Sequence, residues 1–505
     1  MKFNITVLTK LFLLISVVCF FSACKKSLIE QNKSAITQES YFTNATQAQS
    51  AVNGVYPMLQ TLQTGSGLNY GEAPFVSLEM ISGQSTTLGQ SLYNNGLIKH
   101  NNSPIEPVFR VLWVGFYNGI ANANVAINRI PAIKMDEAKK SSLLGEVYFL
   151  RALYYYYLVR IYGDVPLITK PIDFSSPELF PVRTPVKEVY DTIVNDLIKA
   201  ENSGLPNTDK SGRASLGAVK SLLASVYLTM AGYPLNLGTP YYKLAADKSK
   251  EVIDSKWYTL FNDYAYLHDR SHKNSEELIF QVQYKSGIAT NNITEFVTPD
   301  KIGISKLPSE IGALMPRDEF VSSYEPNDKR AEEKQFYFSK YPSASGNGTI
   351  IDFGGYALYK FWLLEAAGPN GDGNSDENWT LLRLPEVMLI YAEASNEING
   401  PTQSAYDQIN LIRSRANLPD LSGLTKDEFR EAIWRERYHE LAFENKAYFD
   451  IQRTRKASNL SNGHFENVLT YKNESGIIFN EQYLLWPIPQ TEMDANSKLT
   501  QNLGW

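Results

Sequence analysis

The stretch Gly145-Glu146-Val147-Tyr148-Phe149-Leu150-Arg151-Ala152-Leu153-Tyr154-Tyr155-Tyr156-Tyr157-Leu158-Val159-Arg160-Ile161-Tyr162-Gly163-Asp164-Val165-Pro166 decides the architecture. Tyr148, Ala152, Tyr155, Val159 and Tyr162 recur at the i, i+4, i+7 spacing of one helix face. Gly163-Asp164 and Pro166 then stop the helix. Reading back to the preceding polar residues predicts a helix over 142–162. The four consecutive tyrosines, Tyr154 to Tyr157, point all round such a helix and cannot form one flat platform. Tyr155 falls on the core face.

Similar signals continue along the chain. Thr184-Pro185 reads as an N-cap followed by proline at the first helical position, opening a helix that runs to Glu201. Further helices are predicted over 215–230, 241–255, 384–397, 404–415 and 425–443. Antiparallel pairs of this size resemble tetratricopeptide-type units, without a clean period of about 34 residues. The fold class expected is therefore mainly α: a helical-repeat scaffold whose helices bury their apolar faces on one another, with long irregular loops and a few short strands. Residues 64–107 and 261–379 break the helical texture. Within the second, Glu277 to Tyr284 alternates like a strand, and clusters of Gly, Asn, Pro and Ser occupy 342–348 and 368–373. Irregular segments this long inside a helical protein point to function.

Composition narrows the class. The chain has 505 residues, 48 Lys+Arg against 54 Asp+Glu, and a formal net charge of −6. It lacks the basic runs with which a nucleic-acid binder neutralises phosphates, so no nucleic-acid partner is expected. With 43% hydrophobic residues it is too apolar for a disordered chain. Its length calls for two domains or one extended repeat architecture.

The two cysteines are Cys19 and Cys24. Everything after Cys24 is cysteine-free, which removes disulfide scaffolds, thiol nucleophiles and Cys-zinc sites from the body. Lys2 and Lys10 precede an apolar run from Leu11 to Phe21, interrupted by Ser16. As a helix that run spans about 16 Å at about 1.5 Å per residue, against a hydrocarbon core of about 30 Å. It suits a signal-peptide h-region rather than a membrane span. Phe21-Ser22-Ala23-Cys24 resembles a bacterial lipobox, which makes Cys24 the lipid-attachment residue after removal of 1–23. Several acyl chains, each contributing about 0.8 kcal/mol per buried CH₂, anchor firmly without a transmembrane helix. Residues 24–46 then form the lipidated start and tether, 47–260 an N-terminal helical part, and 261–505 a C-terminal part carrying the irregular insertion and closing helices.

Several blocks together resemble the SusD/RagB family. They are Gly145 to Ala152 running on to Tyr162-Gly163-Asp164-Val165-Pro166-Leu167, Asn118 to Asn128, and Leu382-Arg383-Leu384-Pro385-Glu386 to Tyr391-Ala392-Glu393-Ala394. Asn410 to Pro419, Glu436-Arg437 through Glu440-Leu441-Ala442-Phe443-Glu444 to Phe449-Asp450, and the tail from Leu485-Trp486-Pro487-Ile488-Pro489 to Gly504 complete the set. The chain departs from the family pattern at Tyr438, Leu503 and Trp505. The resemblance implies a surface-exposed outer-membrane lipoprotein that caps a SusC-like TonB-dependent transporter. It implies a non-catalytic role, binding an oligosaccharide before import. Two alternatives stand beside this: the same architecture holding oligopeptides, and an envelope scaffold with no small-molecule ligand.

The charged motif residues Glu146, Arg151, Arg383, Glu386, Glu393 and Arg437 are expected to hold helices in register through Arg–carboxylate bridges. Ligand contacts are expected on the irregular segments instead, where an aromatic ring stacks on the apolar face of a sugar and polar side chains meet its hydroxyls. The candidates are Tyr70, Gln84, Tyr93 and Asn94 in the first segment, and Tyr284, Phe296 and Trp362 in the second. Gly83 stands where many family members carry an acidic residue. Tyr324, Phe336 and Tyr359-Lys360-Phe361 are assigned to core or sheet.

Enzyme signatures are sparse. His268-Asp269-Arg270-Ser271-His272 places two histidines four apart, but the base position holds Asp269 and no third ligand is marked, so an exposed loop is expected. The chain has no G-x-S-x-G elbow, phosphate-binding loop or dinucleotide fingerprint, and no motif nominates a glycosidase pair. No cofactor or catalytic residue is assigned. The scattered Asp and Asn residues make no EF-hand calcium loop.

Overall fold

A computed structural model describes residues 42–63, 73–87, 92–173, 175–299, 302–305, 310–363, 374–473 and 476–505. Cys24, the leader before it and most of the tether lie outside the described residues. Among the described residues nine helices form the scaffold: α1 (Val108–Arg129), α2 (Glu137–Tyr162), α3 (Val186–Glu201), α4 (Leu216–Ala231), α5 (Thr239–Ser255), α6 (Leu384–Asn399), α7 (Gln403–Arg415), α8 (Lys426–Glu440) and α9 (Ala447–Thr454). Consecutive helices pack in order from α1 to α5. α5 then packs on α6, although the whole second irregular segment separates them in sequence. That segment is looped out of a helical series that continues beneath it. The expected mainly-α architecture is what the chain adopts.

Local chemistry explains the helix ends. Asp136 caps α2 by accepting from the Lys139 N–H, Ser215 caps α4, and Thr425 with Glu428 forms a reciprocal capping box on α8. The helix expected over 425–443 stops three residues sooner. Phe443 and Asn445 take left-handed φ values of 61° and 55°, turning the chain so that Glu444 and Asn445 reach inward.

α2 is buried on all sides. Tyr154, Tyr155, Tyr156 and Tyr157 are all buried, and three of their hydroxyls find partners in different directions. Tyr154 donates to the Val55 carbonyl at 2.6 Å and Tyr155 to Ile168 O at 2.8 Å, while Tyr156 pairs with Thr229 at 2.7 Å. A buried hydroxyl without a partner costs about 1–3 kcal/mol, so these bonds permit a tyrosine-rich core.

The charged motif residues bridge elements as expected. Arg151 meets Asp196 with both fork nitrogens at 2.8 Å, tying α2 to α3. Glu393 of α6 holds Arg453 of α9, Glu386 holds Lys446 at 2.8 Å, and Arg437 meets Asp450. Glu146 accepts from Arg213 at 2.7 Å.

The strands are short and all pair antiparallel. β1 (Ser85–Thr86) pairs with β3 (Met315–Pro316), β2 (Leu278–Val282) with β6 (Trp379–Arg383), and β4 (Tyr337–Pro342) with β5 (Ile350–Leu358). β2 does not alternate in burial: all five residues are buried, because it is covered on both faces.

Candidate functional site

The two irregular segments are knit into one surface and clamped to the scaffold. The helix Pro74–Met80 is buried at every residue. Its Phe75 ring lies 5.9 Å from Phe296 and 5.0 Å from Trp379, so the first segment packs directly on the second. The β1–β3 pairing adds backbone bonds, and Arg317 N–H donates to Gln84 O at 2.9 Å.

Beneath this surface lies an ionic clamp. Glu440, fully buried, accepts from Arg383 at 2.5 Å, Arg415 at 2.6 Å, Arg330 at 3.1 Å and the Tyr264 hydroxyl at 2.9 Å. Burial alone would raise its pKa, but Arg415, Arg383 and Arg330 override this and hold the carboxyl well below the ordinary range. Glu444 binds Arg383 at 2.9 Å and pairs with Lys360. Glu79 behaves differently. Its carboxyl accepts from the Asn445 backbone at 2.5 Å and side chain at 2.9 Å. Burial pushes its pKa up to about 7 against the opposing pull of those two bonds.

The candidates read from the sequence sit as follows. Tyr70 lies outside the described residues, and so does the side chain of Tyr93. Gln84 (1% exposed) and Asn94 (0%) are buried. Gln84 Nε2 donates to Tyr438 O at 2.7 Å, and Asn94 Oδ1 accepts from Ser77 at 2.8 Å. Tyr284 (4%), Phe296 (6%) and Trp362 (4%) are buried too. Tyr284 donates to Gln63 Oε1 at 3.0 Å, and Trp362 Nε1 donates to Thr298 Oγ1 at 3.0 Å. These five side chains were expected on open loops. The structure corrects that: they are the internal joints of the surface, because the two segments bury each other. His268 is corrected likewise. Its side chain is 9% exposed, with Nδ1 3.7 Å from Glu377, rather than in an exposed loop. Among the described residues no His, Cys, Asp and Glu group has metal-binding geometry, and no helix is long and apolar enough to cross a membrane.

Accessible rings occur instead on the β4–β5 hairpin. Phe338 and Trp362 form its buried floor, 5.4 Å apart. Around them stand Tyr341, Phe353 and Tyr359, each half-buried. Tyr341 lies 4.6 Å from Trp362, Phe353 5.0 Å from Phe338, and Tyr359 5.4 Å from Phe338. The polar rim carries exposed Lys340 opposite Asp352, and Lys334 lies 5.3 Å over the Tyr341 ring. The turn at 343–349 is mostly exposed, and Ala344 N–H donates to Gly303 O at 2.9 Å, holding the hairpin against the neighbouring loop. Partly open rings with charged groups at their margin can take a flat ligand with an apolar face and a polar edge. The sequence reading passed over Tyr341 and Phe353 and left Tyr359 with core or sheet. The available signal was a ring-rich pair of strands flanking the Gly/Ser turn.

Comparison with known proteins gives a consistent result. A family profile described as "SusD family" matches residues 320–505, and one described as "Starch-binding associating with outer membrane" matches 31–228. The chain is 28% identical to SusD-like protein P2 of Formosa agariphila, covering 94% of this chain and 95% of that one. The crystal structure of a SusD superfamily protein from Parabacteroides distasonis superposes with a TM-score of 0.88 at 38% identity, covering 93% of this chain and all of that one. A laminarin-binding SusD-like protein superposes with a TM-score of 0.74 at 25% identity, over 92% of this chain and all of its own.

Proposed function

The chain belongs to the SusD/RagB family, and from that premise we propose that it is a non-catalytic glycan-binding protein of the outer-membrane surface. The observation that carries the reading is the half-buried ring cluster of Tyr341, Phe353 and Tyr359 beside an exposed turn. A sugar ring laid on such a surface buries its C–H face while its hydroxyls meet the Lys340 and Asp352 margin. Open aromatic platforms suit sugars better than extended peptides, which lean on free sheet edges and enclosed pockets. The laminarin-binding relative supports the same class of ligand.

In this reading residues 1–23 are a lipoprotein signal peptide, Cys24 carries the lipid, and 24–46 tether the body. The parts 47–260 and 261–505 follow as the N- and C-terminal halves. Tyr70 and Tyr93 remain candidate contacts. The bound oligosaccharide passes to a SusC-like TonB-dependent transporter. Weak contacts suffice at the platform once the transporter encloses the ligand from the other side.

The test is a titration of the purified full-length chain with laminarin, starch oligosaccharides and oligopeptides, beside a Tyr341→Ala/Tyr359→Ala variant. Binding of a glycan, weakened at least tenfold in the variant, supports the proposal. Binding of peptides alone, or glycan affinity unchanged in the variant, removes it. Purification from membranes is expected to bring a TonB-dependent barrel with the chain, and a chain free of any barrel would separate it from transport.

A further inference from the structure

A cavity of about 610 Å³ opens between the end of α2, the residues before α3, helix α9 and the C-terminal tail. It shares no lining residue with the hairpin platform. We propose that it binds an oxyanion, a carboxylate or sulfate group borne by a sugar-sized ligand.

Among the described residues, three arginines in its walls form no ion pair with a carboxylate. The Arg160 guanidinium lies between the rings of Tyr156 and Phe449, 3.6 and 3.7 Å from their centroids. Among the described residues its side chain makes one hydrogen bond, from Nε to the Tyr156 carbonyl at 3.0 Å. Both terminal nitrogens are left without a protein acceptor. Arg455 lies 4.9 Å from the Tyr233 ring centroid, and among the described residues its side chain donates to the Gln452 carbonyl alone. Each guanidinium nitrogen of Arg183 is engaged, but on neutral acceptors: the carbonyls of Asp164 at 2.7 Å, Thr500 at 2.8 Å and Tyr162 at 3.2 Å, and the Asn502 amide oxygen at 2.5 Å. Elsewhere in this molecule buried arginines are matched by carboxylates, as Arg453 in the same wall is matched by Glu393 and Asp450.

Two carboxylates also line the cavity. Asp164 is engaged, accepting the Val186 N–H at 2.8 Å, and Glu481 is exposed. Asp164 attracts Arg183 and Glu481 attracts Arg455 at longer range, so with Arg160 the three arginines leave one positive charge in excess in the walls, in a chain of formal net charge −6. Burial disfavours the charged forms of Arg183 and Arg455, so a bound anion would relieve both. A guanidinium sandwiched by rings is weakly hydrated and presents a fork that matches a planar carboxylate or a sulfate edge. The volume lies within the range of about 300–1,000 Å³ typical of small-ligand sites, and the rings of Phe449 and Tyr233 supply flat walls.

The experiment is calorimetric titration of the full-length chain at low salt with glucuronate, glucose 6-sulfate, inorganic sulfate and neutral glucose. One or both of the charged sugars are expected to bind, glucose not detectably, and Arg160→Gln/Arg455→Gln is expected to lose at least tenfold. Competition by inorganic sulfate supports an oxyanion site in which the charge suffices. Binding of the charged sugars without such competition supports one in which the ring walls contribute. Arg455→Gln removes one bond to a carbonyl and a contact with the exposed Tyr233 ring, and is expected to melt close to the parent. If the double variant does not fold, this single variant decides, with an expected loss of about fivefold. Glucose binding as tightly as glucuronate, no binding of any anion, or full affinity in the folded variants would overturn the proposal.

Discussion

The helical scaffold and the β4–β5 hairpin use the same residue type in opposite ways. On α2, Tyr154 and Tyr155 turn hydroxyls inward onto backbone carbonyls and leave no ring face to solvent. On the hairpin, Tyr341 and Tyr359 rest ring against ring over Trp362 and stay half open. In the scaffold a tyrosine is a core residue with a satisfied polar tip. On the hairpin it is a surface that another molecule can complete. The difference lies in what surrounds the ring: helices on every side of α2, a two-stranded ribbon with an exposed turn at the other. Substitutions should therefore separate the two regions, scaffold changes lowering stability and platform changes lowering affinity.

The largest effect is expected at the clamp. Glu440→Ala leaves Arg383, Arg415 and Arg330 facing one another in the interior without their shared partner. Breaking a buried pair from one side costs about 3–5 kcal/mol; Arg330 keeps Asp328 and Glu436, Arg383 keeps Glu277 and Glu444, and Arg415 keeps Glu277, so the loss should fall within that range. Urea denaturation should show the loss. A midpoint within error of the parent would mean that the existing bridges to Glu277, Glu436 and Glu444 already neutralise the arginines.

Next comes Trp362→Ala, which tests where the floor ends and the platform begins. Trp362 is buried, donates to Thr298 and touches Phe338, Tyr341 and Tyr359. Truncating a buried tryptophan costs about 3–5 kcal/mol. The melting temperature should fall, and glycan affinity should fall with it because the rings above lose their support. Reduced affinity at unchanged stability would instead return Trp362 to the open surface.

That contrast also shows what was legible in the sequence. The scaffold could be read because helix faces and caps are local: Thr184-Pro185, Ser215 and Thr425 mark starts within a few residues. The fate of loop aromatics is not local. Phe296 is covered by Phe75, and Tyr284 is held by Gln63, both more than two hundred positions away. A ring among Gly and Asn residues looks exposed until the distant segment that covers it is known. His268 is hidden for the same reason, between Phe361 and Glu377. Conversely Tyr359, beside the buried Lys360 and Phe361, reads as core and proves half open.

A smaller effect, dependent on pH, is expected at the joint between loops and scaffold. The Glu79 pKa is raised by burial from 4.5 to about 7. Below about 4.5 the carboxyl is protonated in both folded and unfolded chains and the shift has no effect. Between about 4.5 and 7 the folded state holds a proton that the unfolded state has released, so stability falls as pH rises, and above 7 the full penalty applies. Glu79→Gln keeps an oxygen for Asn445 and has no charge to bury. At pH 8 it should be more stable than the parent by on the order of 3–4 kcal/mol, at about 1.4 kcal/mol per unit. At pH 4 the two should melt together. Equal melting at both values would mean that Lys360 neutralises Glu79 fully.

The smallest change in stability is expected where the platform is most open. Tyr359 is half-buried, and its ring meets Phe338 at 5.4 Å and Trp362 at 6.1 Å. Its backbone N–H donates to Phe336 O at 2.9 Å, a bond that alanine preserves. Tyr359→Ala therefore removes two ring contacts at the margin of the cluster and no backbone support, and the stability cost should stay near 1 kcal/mol, within the range for an aromatic pair. The same substitution removes one of three accessible faces from the proposed sugar platform. A tenfold loss of glycan affinity corresponds to about 1.4 kcal/mol, so binding should suffer more than folding. Thermal melts and glycan titrations on this one variant thus measure the contrast directly. A variant that binds as the parent does but melts several degrees lower would place Tyr359 with the tyrosines of α2, and would leave Tyr341 and Phe353 to carry any ligand.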